Sequence, residues 1–171
     1  MWQFDQKIVL VTGGSSGIGE AAAKLFAEQG AIVVIASRGH ENGERVAAEI
    51  SSSGGEALFL PTDVGVEDQV ESTIRAIVDR YGGLDIVFNN AGAGPRGAWH
   101  EDENSWHHTM ETVVVGTFYV CKRVVPILED RGGGAIVKMS SICLLYTSDA
   151  ADERSSVDLG GLRINKKKRG G

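Results

Sequence analysis

Thr12-Gly13-Gly14-Ser15-Ser16-Gly17-Ile18-Gly19 stands between the apolar run Lys7 to Val11 and a helix-like segment, Ile18 to Gln29. Gly13 and Gly17 allow backbone angles and close approaches that a Cβ would block, and Gly19 lets the helix lie flat on the preceding strand. The first N–H groups of a helix entered this way have no partner inside the helix. Together with the helix dipole they form a site for a phosphate anion; the alternative is a bare tight turn. A P-loop is excluded, because Glu20 follows the last glycine where that motif needs Lys and then Ser or Thr.

Outward from this turn the chain alternates between two periods. Lys7 to Val11, Ala31 to Ala36, Ala57 to Leu60, Leu84 to Phe88 and Ala135 to Met139 are short apolar runs of the kind found in buried parallel strands. Between them, helical spacing marks Ile18, Ala22, Leu25, Phe26 and Gln29, then Asn42 to Ser53 with Val46, Ala47 and Ile50 inward. The clearest helix is Glu67 to Tyr81, with Val70, Ile74, Ile77, Val78 and Tyr81 on one stripe. A long helix around Thr112 to Leu128 is apolar on more than one face, so one side should meet the sheet and another a second helix or subunit. Pro126 should kink it or mark its last stretch. This order predicts an α/β fold with a doubly wound parallel sheet, which places ligands beyond the strand carboxyl ends. Thr12 to Gly19, Ser37-Arg38, Asp63, Asn89 to Gly92 and Ser140-Ser141 all fall on that edge.

With 171 residues, 42% hydrophobic and 23% charged, the chain suits one ordinary globular domain. A net charge of −6 argues against a nucleic-acid partner. No apolar run reaches the roughly 20 residues of a membrane span and no signal-peptide pattern is present, so the expected location is cytoplasmic and no membrane partner is expected. Cys121 and Cys143 lack metal or redox spacing, and Cys121 is expected to be a small buried hydrophobe. His100, His107 and His108 are joined by no carboxylate or Cys at ligand spacing, so no metal is expected.

The end of the second strand bears on the ligand. Ala36-Ser37-Arg38 offers a guanidinium where a carboxylate would bind ribose hydroxyls, which favours the 2′-phosphate of NADP over NAD; the alternative is a solvated surface Arg. Asp63 would accept from an adenine amino group or cap a turn, and Asn89 and Asn90 would bridge strands and cofactor or serve as turn formers.

Thr12-Gly13-x-x-x-Gly17-x-Gly19, Asp63-Val64, Asn89-Asn90-Ala91-Gly92, Gly116-Thr117-Phe118 and Ile136-Val137-x-Met139-Ser140-Ser141 together resemble the classical short-chain dehydrogenase/reductase family over residues 5 to 142. The resemblance implies a Rossmann-type sheet and an oxidoreductase moving hydride between a nicotinamide and the carbonyl or alcohol carbon of a small molecule. It assigns Gly13, Ser15, Ser16, Gly17, Ile18 and Gly19 to the cofactor phosphates and ribose, and Ser37 and Arg38 to the 2′-phosphate. It assigns Asp63 and Val64 to the adenine, Asn90, Ala91 and Gly92 to the nicotinamide-side ribose, and Ser141 to the substrate oxygen as a catalytic residue. A homo-oligomer formed through the helix at 112–128 is expected of the full-length parent.

Three departures stand against this pattern. Val113 occupies a position that is often Asn, and Lys138 replaces a usual Asn. The family's Tyr-x-x-x-Lys should follow Ser141 by about a dozen residues, where the chain instead reads Asp152 to Asp158, and Tyr146 is followed four residues later by Ala150. The Tyr donates the proton and the Lys lowers its pKa, so the chain as given is expected to bind without turning over, either as a fragment of an enzyme or as a non-catalytic dinucleotide-binding module.

The segment Cys143 to Glu153, and Val157 to Gly161 after it, resembles the translation of a transposase-type sequencing-library adapter. The domain reading is therefore an incomplete dinucleotide-binding domain over 1–142, truncated after the fifth strand, and a non-native or disordered tail over 143–171. The fifth strand should then be an unpaired apolar edge.

Overall fold

The computed structural model describes residues 3–92 and 103–140, and the elements below all lie in one unit spanning residues 1–139. Five parallel strands, β1 (Ile8–Thr12), β2 (Ile32–Ser37), β3 (Glu56–Pro61), β4 (Ile86–Asn89) and β5 (Ala135–Lys138), pair in the order β3-β2-β1-β4-β5. The order reverses direction between β1 and β4, as in a doubly wound sheet. The register places Thr12 beside Ala36 on one side and Asn89 on the other, so the polar ends of three strands finish level.

Alternate residues of the central strands feed two cores. Leu10, Val34 and Val87 face one layer, completed by Val70, Ile74 and Ile77 of α3 (Glu67–Tyr81) and by Val120 and Val124 of α5 (Gly116–Asp130). Val9, Val11, Val33 and Ile35 face the other, completed by α1 (Gly17–Glu28) and by Val46, Ala47 and Ile50 of α2 (His40–Ser52). This is why β1 shows no alternation: all five of its residues are buried. β5 pairs with β4 alone among the described residues, and Ile136 and Val137 on it remain exposed.

Two sequence expectations need correction. In α1, Ile18 and Leu25 face outward, at 62% and 58% exposure, while Gly19 and Ala23 form the buried stripe. Small residues win that face because the helix starts hard against the turn, leaving no room for larger ones. Cys121, expected to be buried, is only half-buried.

The long helix is more segmented than its spacing suggests. α4 (Glu103–Met110) runs into a π-helical stretch, Glu111–Val115, and then into α5, with helical backbone angles at both junctions. Thr112, Gly116, Val120, Val124 and Leu128 form its buried stripe, while Val114, Phe118 and Val125 are exposed apolar residues on the opposite side. Pro126 lies inside α5, which continues to Asp130.

At the amino ends of the strands, buried Asp85 accepts the Ile8 N–H at 2.9 Å and lies 3.3 Å from Lys7 Nζ and 3.5 Å from Arg131 Nη2. Burial pushes its pKa up, but the Ile8 N–H, Lys7 and the charge of Arg131 outweigh it and hold the carboxyl below the ordinary aspartate value. Glu20 is pushed down to about 2 by hydrogen bonds from Arg45 and Lys24. Both carboxylates have depressed folded-state pKa values, so their stabilisation is present above the unfolded-state values and is lost as pH falls. Thermal melts should show stability falling from about pH 4.5 towards pH 2, with a shallower fall for Asp85→Asn. At pH 7, Asp85→Ala should cost about 1–3 kcal/mol by leaving the Ile8 N–H without a partner.

Candidate functional site

The β1–α1 turn is shaped by contacts that only glycine allows. Gly13 and Gly17 have φ of +66° and +54°. A Cβ on Gly19 would collide with the Gly13 carbonyl and the Asn90 side-chain amide. Gly19 therefore lets the helix start close against the turn itself as well as against the strand. Ser16 takes the N-cap position in extended geometry, and its hydroxyl makes no capping bond to the helix. The N–H groups of the first turn and this hydroxyl thus remain available to an anion.

The turn is tied to the end of β4 by a small polar knot. Thr12 Oγ1 donates to Asn89 Oδ1 at 3.2 Å and accepts the N–H groups of Asn90 and Ala91 at 3.0 and 2.9 Å. Asn90 Nδ2 donates back to the carbonyls of Thr12 and Gly13, at 3.1 and 3.3 Å. Gly13 N–H in turn donates to Ala36 O at 2.7 Å, and Met139 N–H to Asn89 O at 3.1 Å. Asn89 and Asn90 are therefore structural ties at the strand ends.

A cleft of about 450 Å³ opens over this knot. Gly13, Ser15, Ser16 and Ile18 line it from the turn, Ser37 and Arg38 from the end of β2, Asp63 and Val64 from the end of β3, and Asn90, Ala91 and Gly92 from the end of β4. Gly17 and Gly19 shape the turn without lining the cleft. Ser141 lies outside the described residues, as does His100.

Within the cleft, Asp63 Oδ1 accepts the Gly65 N–H at 2.9 Å, so this carboxylate caps its own turn and has one oxygen left for a ligand. Its backbone N–H donates to Gln69 Oε1 at 2.8 Å. The hydroxyls of Ser37 and Thr112 are buried without a partner. Arg38 Nη1 donates to His108 Nε2 at 2.9 Å.

Sequence reading missed Thr112, Gly39, Thr62 and Met139, which also line the cleft. For Thr112 a signal existed, since it stands four residues before Gly116 on the buried stripe. Thr109 and Thr117 return their hydroxyls to the carbonyls four residues back, whereas Thr112, in the π-helical stretch, does not. Among the described residues no group of three or more His, Cys, Asp or Glu is poised to hold a metal ion. Nor is any helix among them long and apolar enough to cross a membrane.

A larger groove of about 1230 Å³ lies at the opposite edge of the sheet, between α1 and α2. Both of its cationic residues are already paired: Lys24 and Arg45 each contact Glu49, which also lines it, and Glu20. Ligands of such sheets bind beyond the strand carboxyl ends, which selects the smaller cleft.

Comparison with known proteins agrees with this geometry. The chain is 36% identical over 166 residues to a 3beta-hydroxysteroid dehydrogenase of Mediterraneibacter gnavus, covering 95% of this chain and 60% of that protein. It resembles L-sorbose reductase of Gluconobacter frateurii, solved with NADPH and L-sorbose, at 32% identity and a TM-score of 0.78, covering 84% of this chain and 56% of that one. It also resembles 7α-hydroxysteroid dehydrogenase solved with NADH and 7-oxo glycochenodeoxycholic acid, at 26% identity and a TM-score of 0.79, covering 91% and 59%. The chain thus spans little more than half the length of these three relatives. The family model for short chain dehydrogenase matches residues 7–150, and the chain belongs to that family of oxidoreductases.

Proposed function

We propose that this chain is the cofactor-binding portion of an NADP(H)-dependent oxidoreductase that moves hydride between a nicotinamide and the carbonyl or alcohol carbon of a small molecule. The observation that carries this reading is Arg38 at the rim of the cleft, beyond β2, with no carboxylate at that strand end. A guanidinium there suits a 2′-phosphate. The two reductase and dehydrogenase structures support the reaction class, since sorbose and an oxo-bile acid both carry carbonyl groups, and their NADPH and NADH support the nicotinamide class.

The residues present fit such a cofactor. The glycine turn lies so close to the start of α1 that a Cβ at position 19 would strike the Gly13 carbonyl and the Asn90 amide, and the Ser37 hydroxyl is buried without a partner beside Arg38. Gly13, Ser15, Ser16, Gly17, Ile18 and Gly19 would hold the phosphates and ribose, Ser37 and Arg38 the 2′-phosphate, and Asp63 and Val64 the adenine. Asn90, Ala91 and Gly92 would hold the second ribose, and Ser141 would orient the substrate oxygen. The bound cofactor supplies the hydride, while the protein's part is to position it, exclude water and provide a proton.

That last part is missing from the sequence as given, where no Tyr-x-x-x-Lys follows Ser141. A general acid contributes typically about 10²–10⁴-fold. The same observation favours a second reading, a dinucleotide-binding module without chemistry. We read residues 143–171 as foreign to the parent protein, although the family-model match runs to residue 150. The exposed Val114, Phe118 and Val125 stripe of the long helix would carry the parent's self-association, and the expected location is cytoplasmic.

Sequencing the gene from its source DNA tests the tail: a genuine frame encoding Cys143 to Gly171 would contradict this reading. If a different frame is found, joining it to residues 1–142 should raise NADPH consumption on a carbonyl panel by about 100-fold or more over the present chain. No turnover from the restored protein would favour the binding module. Gly19→Val should weaken NADPH and NADH alike by more than about tenfold, because its side chain would enter the Gly13–Asn90 contact that shapes the phosphate cradle. Unchanged titrations would remove the turn from the site.

A further inference from the structure

Arg38, on which the NADP(H) reading rests, is held from outside the strand edge that carries it. Its Nη1 donates to His108 Nε2 at 2.9 Å, across 70 residues of sequence. His108 belongs to α4, a helix none of whose residues is buried. No carboxylate pairs with Arg38 among the described residues, so its charge is not spent inside the protein.

An imidazole nitrogen that accepts from a guanidinium fixes the group without neutralising it. Guanidinium carries five N–H donors in a rigid fork, so one donor can be given to His108 while the others face an anion. The surrounding wall is suited to receive one: Ser37 Oγ is buried without a partner, and Ser15 Oγ lies beside Gly39, about 4.0 Å from where a Cβ there would sit. A long side chain ordered only on binding loses rotamer freedom at that moment, whereas one already held loses less.

We propose that His108 is a specificity-determining residue that holds the Arg38 guanidinium in place for the 2′-phosphate of NADP(H). This rests on the cofactor reading of Arg38 given above. Binding of the phosphorylated cofactor is thereby coupled to α4, a helix beyond the dinucleotide-binding strands β1 to β3.

The test is a fluorescence titration of the 171-residue chain with NADPH and with NADH, for the parent and for His108→Ala, His108→Gln and Arg38→Ala. His108→Ala should weaken NADPH about three- to tenfold and change NADH less than about twofold. His108→Gln, whose amide oxygen can accept the same bond, should recover most of the loss. Arg38→Ala should abolish the preference for NADPH. The proposal is overturned if His108→Ala leaves the NADPH-to-NADH ratio intact while Arg38→Ala collapses it, or if His108→Ala weakens both cofactors equally. If Arg38→Ala also leaves the ratio unchanged, or the parent chain binds neither cofactor, the cofactor reading fails and the role of His108 fails with it.

Discussion

The site depends on the Thr12 hydroxyl, which accepts two N–H groups from the β4 loop while donating to Asn89. β1 and β4 are neighbours where the strand order reverses, and the helices α1 and α5 that come after them pack against opposite faces of the sheet. The strands' carboxyl ends would part into an unlined gap without a tie. Thr12 and Asn90 close that gap from both sides, and the glycine turn can then bend over it with the start of α1 pressed against the Gly13 carbonyl. The shape of the glycine turn is in this sense a by-product of how two strand ends are joined.

The rest of the fold serves to bring three other strand ends level with that knot. Burial of β1 and β2 on both faces fixes their register, because a slip of one residue would exchange the two cores. The matched register sets Ala36, Thr12 and Asn89 side by side. Just past the strands, Ser37 and Arg38 line the cleft on one side and Asp63 and Val64 on the other.

Much of this was legible in the amino-acid sequence because it follows from local rules. Continuous apolar runs marked the strands, and the α3 bounds followed from the stripe of Val70, Ile74 and Ile77 with Gly82 as its stop; Gly82 adopts a φ of +75° there. The residues grouped around the cleft could be named because strand carboxyl ends converge by topology. What spacing could not show depends on contact between distant segments. Ile18 and Leu25 have helical spacing, yet the closeness of the turn turns them outward. The π-helical stretch at Glu111–Val115 leaves no mark in residue type, so spacing could set Thr112 on the buried stripe but not show that its hydroxyl has no partner. The pairing of Arg38 with His108 likewise joins two residues 70 apart in sequence that no local spacing relates.

The central claim is that the loops at 12–19, 37–39, 62–65 and 89–92 form one cofactor site independently of the missing proton donor. Amide hydrogen exchange on the 171-residue chain, with and without saturating NADPH, tests it most directly. The account predicts slowed exchange confined mainly to those four loops and the first turn of α1. Protection centred instead on the groove between α1 and α2, or no protection at any of the four loops, would contradict it.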